Sequence, residues 1–180
     1  TASNRVKIYI NGTLQTSLAS TSYPTENLET RINSTDDHYI SLINNAGGSS
    51  EYDGYMAEIN FIDGTQAAAT AFGETNAKGQ WVPIEFEGTY GSNGFYLKGQ
   101  DSSALGDDSS GNGNDWTTSN LAATDQMSDS PTNNWCTLNG VSLTSTATLS
   151  DGNLTLSNTA TGSTTGTLAT PSSGKWYFEV

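Results

Sequence analysis

The chain has 180 residues and a net charge of −13, with six basic residues against 19 acidic ones. Only 33% is hydrophobic and 14% charged; the balance is largely Ser, Thr, Asn and Gly, with 19 glycines, which excludes a helical enzyme core and suits an all-β protein with many turns. The basic residues (Arg5, Lys7, Arg31, Lys78, Lys98 and Lys175) are scattered, so no stripe exists to neutralise phosphates and no nucleic-acid partner is expected. No run approaches 18 apolar residues, and the acidic balance disfavours anionic lipid, so no membrane insertion is expected either. Cys136 is the single cysteine and His38 the single histidine. An intrachain disulfide, a Cys/His zinc cluster and the usual nucleophile–histidine arrangements are therefore absent from the expectations. Cys136 reads as a small core residue beside Trp135.

In chain order, Thr1–Ser20 reads as a β-hairpin. Val6–Ile10 alternates, Asn11-Gly12 is a type I′ turn signal, and Thr13–Leu18 returns. Ser20–Asn27 is a loop around Pro24, Asp37–Asn44 a strand, and Asn45–Ser50 a Gly/Ser loop. Tyr52–Asp63 carries the densest alternation in the chain. Tyr55, Ala57, Ile59 and Phe61 fall on one face of a strand, and Met56, Glu58, Asn60 and Ile62 on the other. Asp53-Gly54 and Asp63-Gly64 bracket it, which predicts one strand of about nine residues. Thr65 is a candidate N-cap for one helical turn over Gln66–Ala71. Trp81–Ile84 and Tyr90–Leu97 read as short extended segments without a regular sheet, since Gly91, Asn93 and Gly94 interrupt them. Ser102–Asn134 is a long polar loop anchored by Trp116 and Leu121. Trp135–Leu143 is a strand interrupted at Asn139-Gly140. Ala147–Leu149 and Asn153–Leu156 form a hairpin around Asp151-Gly152, and Gly174–Val180 is a strongly apolar closing strand.

Several of these stretches resemble known families. VKIYINGTLQ followed by YDGYMAEINFIDGTQ is similar, over roughly residues 4–66, to the closing half of a concanavalin A-like jelly roll of the LamG type. The order of the two motifs carries that resemblance. GNLTLS followed by SGKWYFEV resembles, over roughly residues 146–180, the opening strands of a SPRY domain, another concanavalin-like sandwich. The series from YDGYMAEINFIDG through GTYGSNGFYL, DDSSGNGNDW and DSPTNNWCTLN to SGKWYFEV resembles a recurring module of tailed-phage virion proteins, marine ones especially.

The resemblances imply an all-β chain. Residues 1–66 would be the C-terminal half of a LamG-type sandwich, 67–134 a Gly/Asn/Ser-rich connecting arm, and 135–180 the start of a SPRY-like sandwich. Both flanking strands would lack partners, so the sequence is expected to be a window of a longer polypeptide or to pair with other subunits. The implied function is a non-enzymatic structural or adhesion component of a phage virion: a fibre, tail or capsid-decorating protein. Its partners would be other virion subunits or copies of itself, with a cell-surface glycan as a further candidate, and its location the virion or the extracellular space. A calcium-assisted carbohydrate-binding module is the alternative, and a laminarinase-type glycoside hydrolase a third reading.

Two constellations could carry chemistry. Glu58, Asn60 and Asp63 approach the acidic strand of laminarinase-type hydrolases, whose retaining mechanism needs two carboxyl groups about 5–5.5 Å apart. Asn60 stands where a second acid belongs, and Asp63 falls in a turn dipeptide, so no catalytic residue is expected. Asp107, Asp108, Asn112, Asn114 and Asp115 are rich in oxygen ligands, with glycines to bend the backbone around an ion, and calcium would suit them. No organic cofactor is expected. The competing reading is an Asx-turn loop held by its own side chains. His38, beside Asp36 and Asp37, reads as a surface or interface residue, and the tryptophans at 81, 116, 135 and 176 as core plugs of a sandwich.

Overall fold

The computed structural model describes residues 1–45, 48–52, 54–127, 135–144, 146–169 and 172–177. Local turn chemistry builds most of its hairpins. β1 (Tyr9–Ile10) and β2 (Thr13–Leu14) pair antiparallel, Tyr9 opposite Leu14. Asn11 and Gly12 between them have φ of 48° and 73°, as a type I′ turn requires. β3 (Leu42–Asn45) pairs with β4 (Gly48–Glu51), so much of the expected Gly/Ser loop is strand. β3 begins only at Leu42, because Ser41 is left-handed at φ 71°. Ser41 still closes the hairpin, through Tyr52 N–H to its carbonyl at 2.8 Å.

The alternating stretch at 52–63 yields a much shorter strand than expected. Among its described residues only β5 (Ile59–Phe61) is paired as a strand. Glu58 has φ 56°, and a left-handed residue breaks the pleat that alternation presumes. Asp53 of the expected opening turn lies outside the described residues.

β6 (Gly73–Thr75) and β7 (Trp81–Pro83) form a hairpin where the sequence predicts none. The Asn76 side chain explains it. Its Oδ1 accepts Lys78 N–H at 2.9 Å and Gln80 N–H at 3.0 Å, an Asx turn that returns the chain. The Trp81 ring lies against both Gly12 and Gly73, and a methyl on Gly73 would sit 2.5 Å from Trp81 Cε2. Gly73→Ala is therefore expected to expel the ring at a cost of about 1–3 kcal/mol. Near-ultraviolet circular dichroism would register the lost tryptophan packing, and thermal unfolding the lower Tm.

β8 (Phe95–Leu97) pairs antiparallel with β5, joining residues from either side of the boundary expected at 66. β9 (Ala147–Ser150) and β10 (Thr155–Asn158) form the expected second hairpin, with Asp151, Gly152 and Asn153 all at positive φ in its turn. Trp135–Leu143 is not the expected strand. Leu138 makes one isolated bridge with Gly166, and a 3-10 turn spans Gly140–Ser142, capped by Asn139 Oδ1 on Val141 N–H at 2.9 Å. Residues 174–177 of the expected closing strand carry no strand, and 178–180 lie outside the described residues.

The result is β-rich: five two-stranded antiparallel sheets among the described residues, with helix confined to single 3-10 turns. Among the described residues the buried apolar ones are few: Tyr90, Tyr96, Leu97 and Ala147. The accessible surface is 13790 Å². A compact chain of 19.0 kDa would expose roughly 8,000 Å². Trp135 and Trp176 are 56% and 62% exposed rather than core plugs, and Cys136 is exposed too. With a third of the chain apolar and its strands in pairs, too little opposing surface exists to cover them.

Candidate functional site

The best-packed region surrounds the β5–β8 ladder. Phe61 and Phe95 stack across it at 5.4 Å, and Trp116 meets Phe95 edge-on at 5.0 Å. On the other side the Tyr90 and Tyr96 rings stack at 6.0 Å, with Phe86 edge-on to Tyr90 at 5.1 Å. Stacked and edge-to-face pairs of this kind add about 0.5–1.5 kcal/mol each beyond burial.

The acids and amides of the hydrolase-like strand are absorbed into this packing. Tyr96 Oη donates to the Glu58 carboxylate. Tyr90 Oη donates to Asn60 Oδ1 at 2.8 Å, and Asn60 Nδ2 donates to the Glu58 carbonyl at 2.9 Å. Asp63 ties three segments together. Its carboxylate accepts Asn33 Nδ2–H and Asn93 N–H, each at 3.2 Å, while its own N–H donates to the Tyr90 carbonyl at 2.8 Å.

Burial is the largest cause raising the Tyr96 hydroxyl well above the ordinary tyrosine range, followed by its bond to Glu58 and the negative charge there. Tyr90 is raised as well, first by burial and then by Glu85, Asp108 and Glu58. A raised tyrosine contributes stability that is complete below its unfolded pKa, near 10, and is lost as pH climbs through the folded value. The chain is thus expected to lose stability above about pH 10. Tyr96→Phe should flatten that alkaline loss and cost about 1–2 kcal/mol at neutral pH, because Glu58 loses its donor. Chemical denaturation at pH 7 and pH 10.5 checks both.

The loop Asp107–Asp115 does bring four of its five candidate ligands together, as braces. Asp108 Oδ1 accepts Tyr96 N–H and Ser110 N–H, both at 2.8 Å. Its Oδ2 accepts Ser110 Oγ–H at 2.8 Å and Asn114 N–H at 3.0 Å. Burial works to raise the Asp108 pKa, but the donors from Tyr96, Ser110 and Asn114 outweigh it and hold the carboxyl below its usual range. Asp115 Oδ1 accepts Asp108 N–H at 2.9 Å. Asn112 Nδ2 donates to the carbonyls of Gly91 and Gly94 at 2.7 and 2.9 Å, and Asn114 Nδ2 to those of Ser92 and Gly94 at 3.0 and 2.8 Å. Asp107 is exposed and takes no part in this lattice. No group of three or more His, Cys, Asp or Glu side chains suited to a metal ion occurs among the described residues.

Beside this loop lies an open cleft of about 380 Å³, lined by Trp116, Asn114 and Asp115 together with His38, Tyr39 and Asn33. Asn93 lines it as well. Sequence reasoning singled out Asn114, Asp115 and His38 but missed Tyr39, Asn33 and Asn93 as their neighbours. The 30-residue span from Asp63 back to Asn33 carries no local signal. No helix among the described residues is long and apolar enough to cross a membrane. No protein-family model, curated protein or solved structure matches this chain.

Proposed function

We propose that the chain is a non-enzymatic structural and adhesion component of a phage virion, a fibre, tail or capsid-decorating protein whose concanavalin A-like sandwich is completed by neighbouring subunits. The observation that carries this reading is the surface of 13790 Å², with Ile8, Ile10, Leu14 and Leu18 of the first hairpin region all over 40% exposed. Two-stranded sheets with such faces gain stability when another chain adds strands or covers them. Support for the absence of catalysis comes from Glu58, Asn60 and Asp63, which are all engaged as braces. The virion setting rests on the sequence resemblance, and a location in the virion or outside the cell follows from it.

The cleft favours carbohydrate binding as a second reading. Trp116 and Tyr39 line it with aromatic rings, and Asn93 and Asp115 bring an amide and a carboxylate of the kind that pair with sugar hydroxyls. Calcium would enter at Asp107–Asp115, where it would compete with the N–H groups that hold Asp108. A glycan array read with and without chelator tests this, together with reducing-sugar release from β-glucans. The expected result is array binding reduced at least tenfold in Trp116→Ala, with no sugar release. Release that disappears in Glu58→Gln would replace this reading with a hydrolase.

A further inference from the structure

We propose that Asn11, at the tip of the first hairpin, is the chain's site of spontaneous deamidation, and that the fold shields its three other Asn-Gly pairs. The pairs are Asn11-Gly12, Asn93-Gly94, Asn112-Gly113 and Asn139-Gly140. Asparagine deamidates most readily before glycine, because no Cβ hinders the following N–H. The reaction needs only water. The Gly12 nitrogen attacks Asn11 Cγ, the new N–Cγ bond forms, and the Cγ–Nδ2 bond breaks. Nδ2 leaves as ammonia with the proton from the Gly12 amide. Water then opens the cyclic imide at either carbonyl, leaving an aspartyl or an isoaspartyl residue at position 11.

Three of the pairs are held. Gly94 is buried, and its N–H, the nucleophile for Asn93, donates to the Gly91 carbonyl at 3.3 Å. Asn112 Nδ2 donates to the carbonyls of Gly91 and Gly94, at 2.7 and 2.9 Å. Asn139 Oδ1 takes Val141 N–H at 2.9 Å, while the Asn139 N–H donates to the Thr165 carbonyl at 2.8 Å. In each, bonds must open before the carboxamide carbon meets the next nitrogen. Asn11 stands exposed, at φ 48°, and its carboxamide takes part in no hydrogen bond among the described residues. Its turn closes through Ile10 opposite Thr13, which leaves the Gly12 N–H outside the ladder.

The position gives the product its effect. An isoaspartyl link carries the main chain through Cγ and adds a backbone atom to a turn whose length fixes the register. The Trp81 ring lies against Gly12, so the β6–β7 hairpin loses its contact with that turn as well. Either product adds a negative charge beside Ile10 and Leu14, on the hairpin through which assembly is proposed. As a brake on assembly the site rests on that reading; as chemistry it does not.

The test ages the full chain in mildly alkaline buffer, with a parallel sample in urea, and reads each asparagine by peptide mapping and tandem mass spectrometry. In the folded chain Asn11 is expected to convert at least about tenfold faster than Asn112, whose two bonds must open first. In urea the four sites should draw together, since each precedes glycine. Conversion of Asn93, Asn112 or Asn139 as fast as Asn11 in the folded chain, or the folded ranking persisting in urea, would overturn the assignment. Sedimentation of the aged chain reads the brake. Association should weaken as the isoaspartyl fraction rises, and undiminished association after full conversion would overturn it. A fresh chain that never associates would remove the brake together with the assembly reading, and the peptide map would still decide the site.

Discussion

Asp108→Ala is expected to lower stability by about 2–4 kcal/mol, a fall in Tm of roughly 5–15 °C. One carboxylate satisfies four donors, and three of them are backbone N–H groups of Tyr96, Ser110 and Asn114. Removing it strands those groups and frees the loop from the edge of β8. The deficit should depend on pH. Because the folded Asp108 pKa is depressed, its contribution is complete above the unfolded value of about 4 and is lost as pH falls through the folded one. Wild type and Asp108→Ala should therefore differ most at neutral pH and converge in acid. Thermal unfolding across pH 2–7, a window set by the ordinary carboxylate range, reads both effects.

Gly94→Ala should do at least as much damage, above about 3 kcal/mol, for a different reason. Its added methyl would fall on the Tyr90 carbonyl, with the Tyr90 Cβ only 2.8 Å away. That carbonyl cannot retreat, since Asp63 N–H holds it at 2.8 Å. The Gly94 carbonyl is also where the Asn112 and Asn114 amides converge, so displacing it undoes both clamps. Gly140→Ala is the control. Its methyl would meet only Leu149 Cδ1, at 3.9 Å, and stability should change by no more than about 0.5 kcal/mol. Equal losses in the two variants would contradict this account of the loop.

How far the fold could be read from sequence depended on whether a feature was local. Asn11-Gly12 and Asp151-Gly152 announced their hairpins because residues that accept positive φ dictate the turn by themselves. The β6–β7 hairpin escaped because its signal is one side chain, Asn76, bonding forward to Lys78 and Gln80. Alternation over 52–63 suggested a long strand, and it could not register that Glu58 turns left-handed. The partner of β5 lies more than thirty residues on, and nothing in the Ile59–Phe61 pattern points to Phe95–Leu97.

The candidate site divides in the same way. Oxygen-rich spacing marked Asp108, Asn112 and Asn114 as residues that hold something, and the structure places backbone groups at the ends of those bonds. Composition cannot distinguish N–H donors from a cation as the partner of a carboxylate. Nor could it bring Tyr39 and His38 to the same cleft as Trp116, since the cleft forms only when segments some eighty residues apart meet. The tyrosine pair was invisible for a related reason: Tyr90 and Tyr96 matter through Asn60 and Glu58, which lie in another segment.

Assembly with other chains is the central claim, and sedimentation velocity over a wide concentration range tests it most directly. The account predicts concentration-dependent association, with exposed residues such as Ile10 and Leu14 of the first hairpin becoming protected from solvent exchange as the larger species forms. A single species of 19.0 kDa at every concentration, compact by its frictional ratio and fully β by circular dichroism, would contradict it.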